Sequence, residues 1–188
     1  TVGGDAVADA LFGDANPGGK LTATFPRSVG QIPIYYDHMN GGRPASDEHY
    51  SSKYIDGPWT PQLPFGWGLS YTSFTVSGLA VDPPAIAADG RADVRVYVQN
   101  DGARAGDEVV QLYLRRRAAS VTRPVAELKG FARVALAPGE KRRVDFTLGP
   151  DELGFLKRDR SFGVEPGAYE ITVGTSSVGG LTARLSVE

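Results

Sequence analysis

Cysteine is absent from this 188-residue chain. Its absence excludes a disulfide framework, thiolate zinc sites and thiol redox chemistry, but leaves the cellular compartment open. Methionine occurs once, as Met39, and the first residue is Thr1, so the sequence is expected to be a fragment or a processed product. No apolar run approaches the roughly 18–20 residues that a membrane span needs, and no signal-peptide pattern is present. If the amino terminus has been lost, that second absence says nothing of export. Net charge is only −2, which gives no overall electrostatic case for nucleic acid.

The charge is unevenly distributed. Residues 1–89 carry four Lys/Arg against nine Asp/Glu, a balance of −5, whereas residues 90–188 carry sixteen against thirteen, a balance of +3. Two modules with differently solvated surfaces account for this. The sequence changes character around Pro61–Val76, PQLPFGWGLSYTSFTV. Before this seam the chain is acidic, rich in Pro, Gly and aromatics, and poor in regular pattern. After it, short alternating strands take over.

Gly3–Phe12, GGDAVADALF, reads as a short helix. Val7, Ala10 and Leu11 share one face, Asp5 suits the positive end of the helix dipole, and Gly13 stops the run. Asn16-Pro17-Gly18-Gly19 is a turn, and Leu21–Phe25 alternates as a strand before Pro26. One helix and one strand cannot enclose a core, so this opening segment is expected to pack on something else, as the tail of an α/β domain. Residues 27–68 form a long irregular stretch carrying Tyr35, Tyr36, His38, His49, Tyr50, Tyr54, Trp59 and Trp67. Disordered segments are depleted in aromatics, which points to an ordered strap laid over a surface.

From Phe74 the period becomes two. Strands are expected at Phe74–Val81, Val94–Val98, Val109–Leu114, Leu128–Val134, Arg143–Leu148, Phe162–Val164, Tyr169–Val173 and Leu181–Val187, separated by turns such as Asn100-Asp101-Gly102, Pro138-Gly139 and Pro166-Gly167. The fold class is therefore mainly β. An antiparallel β-sandwich of the fibronectin III-like or immunoglobulin kind, the latter without its disulfide, is preceded by the terminal helix, strand and long loop of an incomplete α/β domain. The expected division is 1–60 for that remnant with the aromatic strap, 61–73 for the linking seam and 74–188 for the sandwich.

Candidate chemistry is sparse. His38 and His49 lie eleven residues apart, without helical spacing and without a third ligand pattern, so they read as solvated loop histidines and no metal is assigned. No Gly-x-Ser-x-Gly elbow occurs. Gly3-Gly4 before a helix is weak as a phosphate cradle, and close backbone packing is its simpler use. Asp37, Asp47, Glu48 and Asp56 sit in the strap among aromatics, as carboxylates of a sugar subsite would, but no spacing makes any two of them converge. Arg115-Arg116-Arg117 reads either as a polyanion patch or as a solvated strand end paired with Asp107, Glu108 or Glu127. No aromatic interleaving favours nucleic acid.

Longer motifs carry a resemblance. NPGGKLTATFPRSVGQIPIYY (16–36) resembles the end of the second domain of glycoside hydrolase family 3 enzymes, and LPFGWGLSYTSF (63–74) the entry into their fibronectin III-like domain. GDEVVQLYL (106–114), SVTRPVAELKGF (120–131) and LAPGE (136–140) are similar to hallmarks of that domain, and HMNGGRP (38–44) resembles the bacterial periplasmic β-glucosidase branch. The resemblance covers essentially the whole chain. It implies a parent that hydrolyses β-linked glucosides or xylosides with retention, using an aspartate nucleophile on an N-terminal barrel and a glutamate acid/base on the α/β domain.

No segment here matches the nucleophile motif, and the acid/base region would lie upstream of Thr1. No catalytic residue is therefore assigned, and the chain is expected to be inactive alone. Asn40 and Arg43, as hydrogen-bonding groups, together with His49 and with Tyr54 as a stacking ring, are the expected peripheral substrate contacts. The resemblance implies no cofactor. Its implied partners are the parent's barrel and α/β domains, a β-glucoside, and a second copy in a homodimer, with no membrane or nucleic acid. It places the parent in the periplasm or outside the cell. The alternative is a stand-alone β-sandwich module for carbohydrate binding or adhesion.

Overall fold

The computed structural model describes residues 2–48 and 51–188. Helix α1 (Gly3–Phe12) forms where its periodicity predicts, and Gly13 caps it in the left-handed region at φ 86°. Ten strands follow: β1 (Phe74–Asp82), β2 (Ala85–Ile86), β3 (Ala92–Asn100), β4 (Gly106–Arg116), β5 (Glu127–Leu136), β6 (Lys141–Leu148), β7 (Phe155–Leu156), β8 (Phe162–Gly163), β9 (Gly167–Gly174) and β10 (Leu181–Val187). A four-residue helix, α2 (Pro150–Leu153), separates β6 from β7.

The strands make two facing sheets, β1-β3-β6 and β2-β10-β9-β4-β5, and the small hairpin β7-β8. Pairing is antiparallel throughout the sheets except where β2 runs parallel to the end of β10. Alternation explains the layering. In β3, Val94, Val96 and Val98 are fully buried while Asp93, Arg95 and Tyr97 face out. They join one apolar cluster with Val110, Leu112 and Leu114 of β4, Ile171 and Val173 of β9, and Leu185 of β10. This is the expected β-sandwich.

The elements missed in the sequence are short. β2 contributes two residues beside Ser186 and Val187. α2 begins at Pro150, and the Glu152 carboxylate accepts the Gly149 N–H at 2.8 Å. Leu21–Phe25, expected as a strand, bends at Thr22 and Ala23 and pairs only as a clasp. Phe25 bridges Leu63, and Leu21 exchanges hydrogen bonds with Trp67 and Gly66. With only the seam 62–67 alongside, no sheet can propagate from it.

One polar residue lies at the heart of the sandwich end. Asn100, fully buried, closes β3. Its Oδ1 accepts from Thr72 Oγ1 (2.6 Å) and Gly102 N (3.1 Å), and its Nδ2 donates to Arg104 O (2.6 Å) and Leu136 O (3.1 Å). The sequence marks it only as a turn former, because Asn beside Asp-Gly is the commonplace reason for such a residue.

The opening segment differs in kind from the sandwich. Among the described residues before Thr72, only Gln31 and Gly66 are buried. α1 buries nothing: Leu11 is 73% exposed and Phe12 85%. Polar ties hold the segment in place. Asn16 donates to Ala105 O (2.9 Å) and accepts from Ser70 Oγ and Tyr71 N, Tyr71 OH donates to Ala10 O (2.6 Å), and Lys20 pairs with Glu108 at 2.6 Å.

Candidate functional site

The run Val109–Leu114 in β4 is apolar or aromatic apart from Gln111 because both of its faces are covered. Val110, Leu112 and Leu114 point into the sandwich, while Gln111 and Tyr113 face the strap. Tyr36 stacks on Phe65 with centroids 4.3 Å apart and meets Tyr113 edge-on at 5.7 Å. Tyr113 OH donates to Gln111 Oε1 (2.5 Å), and Gln111 Nε2 donates to Gly66 O (3.1 Å) and Thr175 O (2.9 Å). Gly66 is required here. Its φ is +78°, and a Cβ would sit 2.1 Å from Gln111 Oε1.

Further out, Gln31 ties the two limbs of the strap together. Its Oε1 accepts Arg27 N, and its Nε2 donates to Pro58 O and Thr60 O. The limb that follows is anchored to the sheet side, where Val125 N donates to His38 O and Met39 bridges Pro124. Neither glutamine could be picked out as an anchor in advance. A lone polar residue inside an apolar strand run, as Gln111 is, is the one signal available.

Burial pushes the Tyr113 phenol above its ordinary range, helped by the neighbouring Tyr36, and burial also raises Tyr36. A phenol whose folded-state pKa is raised keeps its proton after the unfolded chain has begun to lose it. The resulting stability is intact below pH ~10, the unfolded tyrosine value, and is lost as pH rises above it. Melting curves between pH 8 and 11 are therefore expected to fall more steeply for the native chain than for Tyr113→Phe. Parallel falls would remove Tyr113 as the cause.

Three hollows run along the strap. The middle one, ≈ 350 Å³, lies between strap and sheet and is lined by Tyr35, Tyr36, His38, Asn40, Trp59 and Arg115, together with Val125 and Val178. On the Asn40–Arg115 side it adjoins a hollow of ≈ 510 Å³ lined by Arg115–Val125. On the Trp59 side it adjoins a third, also ≈ 510 Å³, lined by Gln31, Ile34, Lys53, Tyr54 and Trp59.

The expected contact residues are dispersed among these. Asn40 lines the first two hollows and Tyr54 only the third, where its hydroxyl donates to Gly30 O. Arg43 is exposed and lines none of the three, and its backbone carbonyl accepts Ser52 N. His49 lies outside the described residues. Asp37, Asp47, Glu48 and Asp56 are exposed and line none of the hollows, so no acid pair gathers in any of them. The arginine run takes partners other than those named in advance. Arg116 pairs with Glu165 and Arg117 with Glu170, whereas Asp107, Glu108 and Glu127 are engaged by Arg133, Lys20 and Arg123.

The class these features define is a closed β-sandwich joined, through an aromatic strap, to a helix whose apolar side chains are uncovered. Residues 1–71 match the glycosyl hydrolase family 3 C-terminal domain and residues 108–177 the fibronectin type III-like domain. A periplasmic beta-glucosidase of Salmonella typhimurium is 47% identical over 180 residues, 94% of this chain and 24% of that protein. A beta-xylosidase of Formosa agariphila is 49% identical over 178 residues, 93% of this chain and 24% of that protein. The crystal structure of a beta-glucosidase from Listeria innocua in complex with glucose superposes with a TM-score of 0.92 at 39% identity, over 98% of this chain and 26% of that one. The chain belongs to glycoside hydrolase family 3, whose C-terminal portion it represents. It spans about a quarter of the length of the relatives it matches.

Proposed function

We propose that this chain is the carboxy-terminal scaffold of a retaining β-glucosidase that removes terminal β-D-glucosyl or related residues. Residues 1–60 complete an α/β domain and carry the strap, 61–73 link it to the sandwich, and 74–188 brace the assembly. The observation that carries this reading is the open apolar face of α1. Val7, Leu11 and Phe12 lie in water, although a stable helix of this length ordinarily owes its place to packing. The domains that cover it are the N-terminal barrel and the rest of the α/β sandwich, and the parent works in the periplasm or outside the cell, as a homodimer. Asn40, Arg43, His49 and Tyr54 make the peripheral contacts with the β-glucoside.

In this reading the chemistry resides in the domains outside this chain. An enzyme carrying the chain as its C-terminal quarter is expected to hydrolyse p-nitrophenyl β-D-glucoside, and the isolated chain is expected not to. Turnover that copurifies with the 20.0 kDa chain would overturn the scaffold role. The alternative, a free-standing carbohydrate-binding or adhesion module, predicts that removing the chain from such an enzyme leaves hydrolysis intact.

A further inference from the structure

We infer that the cleft between the strap and the five-stranded sheet is a binding site for an oligosaccharide bearing a carboxylate, with Arg115 as the residue that reads the acid. This goes beyond the bracing role and rests on the cleft staying open beside the domains that role places against residues 1–60.

The first observation is an imbalance among neighbouring arginines. Arg116 donates to Ala118 O (2.7 Å), Glu165 O (2.5 Å) and Pro166 O (2.7 Å), and lies over the Tyr169 ring. Arg117 is engaged with Glu170 at 3.2 Å. Arg123 is paired with Glu127 and stacked over Phe155. Arg115 is half-buried, yet among the described residues its side chain makes no hydrogen bond and no ion pair. The carboxylate opposite it in register, Glu170, is the one engaged by Arg117.

A partly exposed guanidinium with no protein partner keeps its donors free for a ligand, which need displace only water to reach them. A second unfilled donor lies in the same wall: Arg123 Nε is buried and has no partner. The hollow that both arginines line, ≈ 510 Å³, contains four arginines and no acidic residue.

The second observation is what adjoins this cationic end. Asn40 and Arg115 line both hollows, and beyond them the ≈ 350 Å³ hollow presents Trp59 and Tyr35, 41% and 55% exposed, beside the His38 ring. Exposed aromatic faces next to an amide and an imidazole match the alternation of C–H faces and hydroxyls on a pyranose, and the volume lies in the ~300–1,000 Å³ range of small-molecule sites. One ligand fills both halves when a sugar ring stacks at the aromatic end and a carboxylate reaches the guanidinium fork, which accepts it bidentately.

The test titrates the full chain by calorimetry with a xylotriose bearing one glucuronate substituent and, separately, with unsubstituted xylotriose. The acidic sugar is expected to bind about tenfold more tightly, equivalent to ~1.4 kcal/mol, with the difference shrinking at high salt. Arg115→Gln should erase the difference while changing the neutral sugar's affinity less than about twofold. Arg115→Lys should restore only part of it, and Trp59→Ala should weaken both sugars, each variant being checked for an unchanged melt. Equal affinity for the two sugars, no binding of either, or an Arg115→Gln variant indistinguishable from the native chain overturns the proposal. So does tighter binding of a polyglutamate peptide with the same Arg115 dependence, which would make the cleft a protein-docking surface. Because no hydrolysis is read, failure here leaves the scaffold role standing, and the reverse also holds.

Discussion

Asn100→Ala is expected to destabilise the chain by about 3 kcal/mol, a larger cost than any surface substitution, read as a shift in the urea midpoint at constant slope. The side chain contributes no apolar packing, so the loss is one of hydrogen bonding. Leu136 O and Arg104 O lose their donor, and Thr72 Oγ1 and Gly102 N lose their acceptor, at a site with no solvent access to Asn100 itself. Buried groups left unmatched cost about 1–3 kcal/mol each, and the outermost of the four can recover water.

Asn100→Asp separates this account from simple loss of volume. An aspartate keeps the shape but turns an oxygen toward two carbonyls, so it holds a proton in the folded state at pH values where the unfolded chain has released it. Its penalty is therefore smallest below pH ~4, where the single carboxyl O–H still leaves one of the two carbonyls without a donor, and grows as pH rises above that value. An Asn100→Ala cost below about 1 kcal/mol, or an Asn100→Asp penalty independent of pH, would show that the network contributes little.

The second large effect is conditional on context. Leu11→Gln and Phe12→Gln together are expected to leave the sandwich's melting transition in the isolated chain unchanged within about 0.5 kcal/mol. Both side chains already stand in water, and glutamine is a good helix former. In an enzyme carrying the chain as its C-terminal quarter, the same pair should cost about 3 kcal/mol or more, because two large apolar groups would be lost from a packed interface and replaced by amides without partners. The measurement is thermal inactivation of the longer enzyme against calorimetry of the chain. Small effects in both would mean that α1 faces solvent in the assembled enzyme too, and the scaffold role would lose its main support.

Much of the sandwich was legible because period-two alternation is a direct imprint of a sheet with one buried face. Val94, Val96 and Val98 announce β3 by themselves. β4 was read as a strand, but its covering was not, although the near-absence of polar positions in Val109–Leu114 is how a strand buried on both faces looks. β2 and α2 are too short to show any period. The strap resisted reading for a different reason. Its conformation is set by single long-range bonds, such as Gln31 to Pro58 and Thr60, or Gln111 to Gly66, and no local pattern encodes partners that lie 27 to 45 residues away. Asn40, Arg43 and Tyr54 fall in different places along the strap for the same reason, while Arg115, whose interest lies in what it fails to touch, has the sequence context of any strand-end cation.

The absence of room at Gly66 has a mechanical meaning. With backbone and amide interlocked there, the seam has no slack in which to flex, and Gly68, where a Cβ would meet Gly19 O at 2.4 Å, is equally tight. A twist applied at the amino-terminal side would be delivered to β4, the strand next to the sheet's edge, as torque instead of being dissipated in a joint, so the two parts turn together as gears keyed to one shaft.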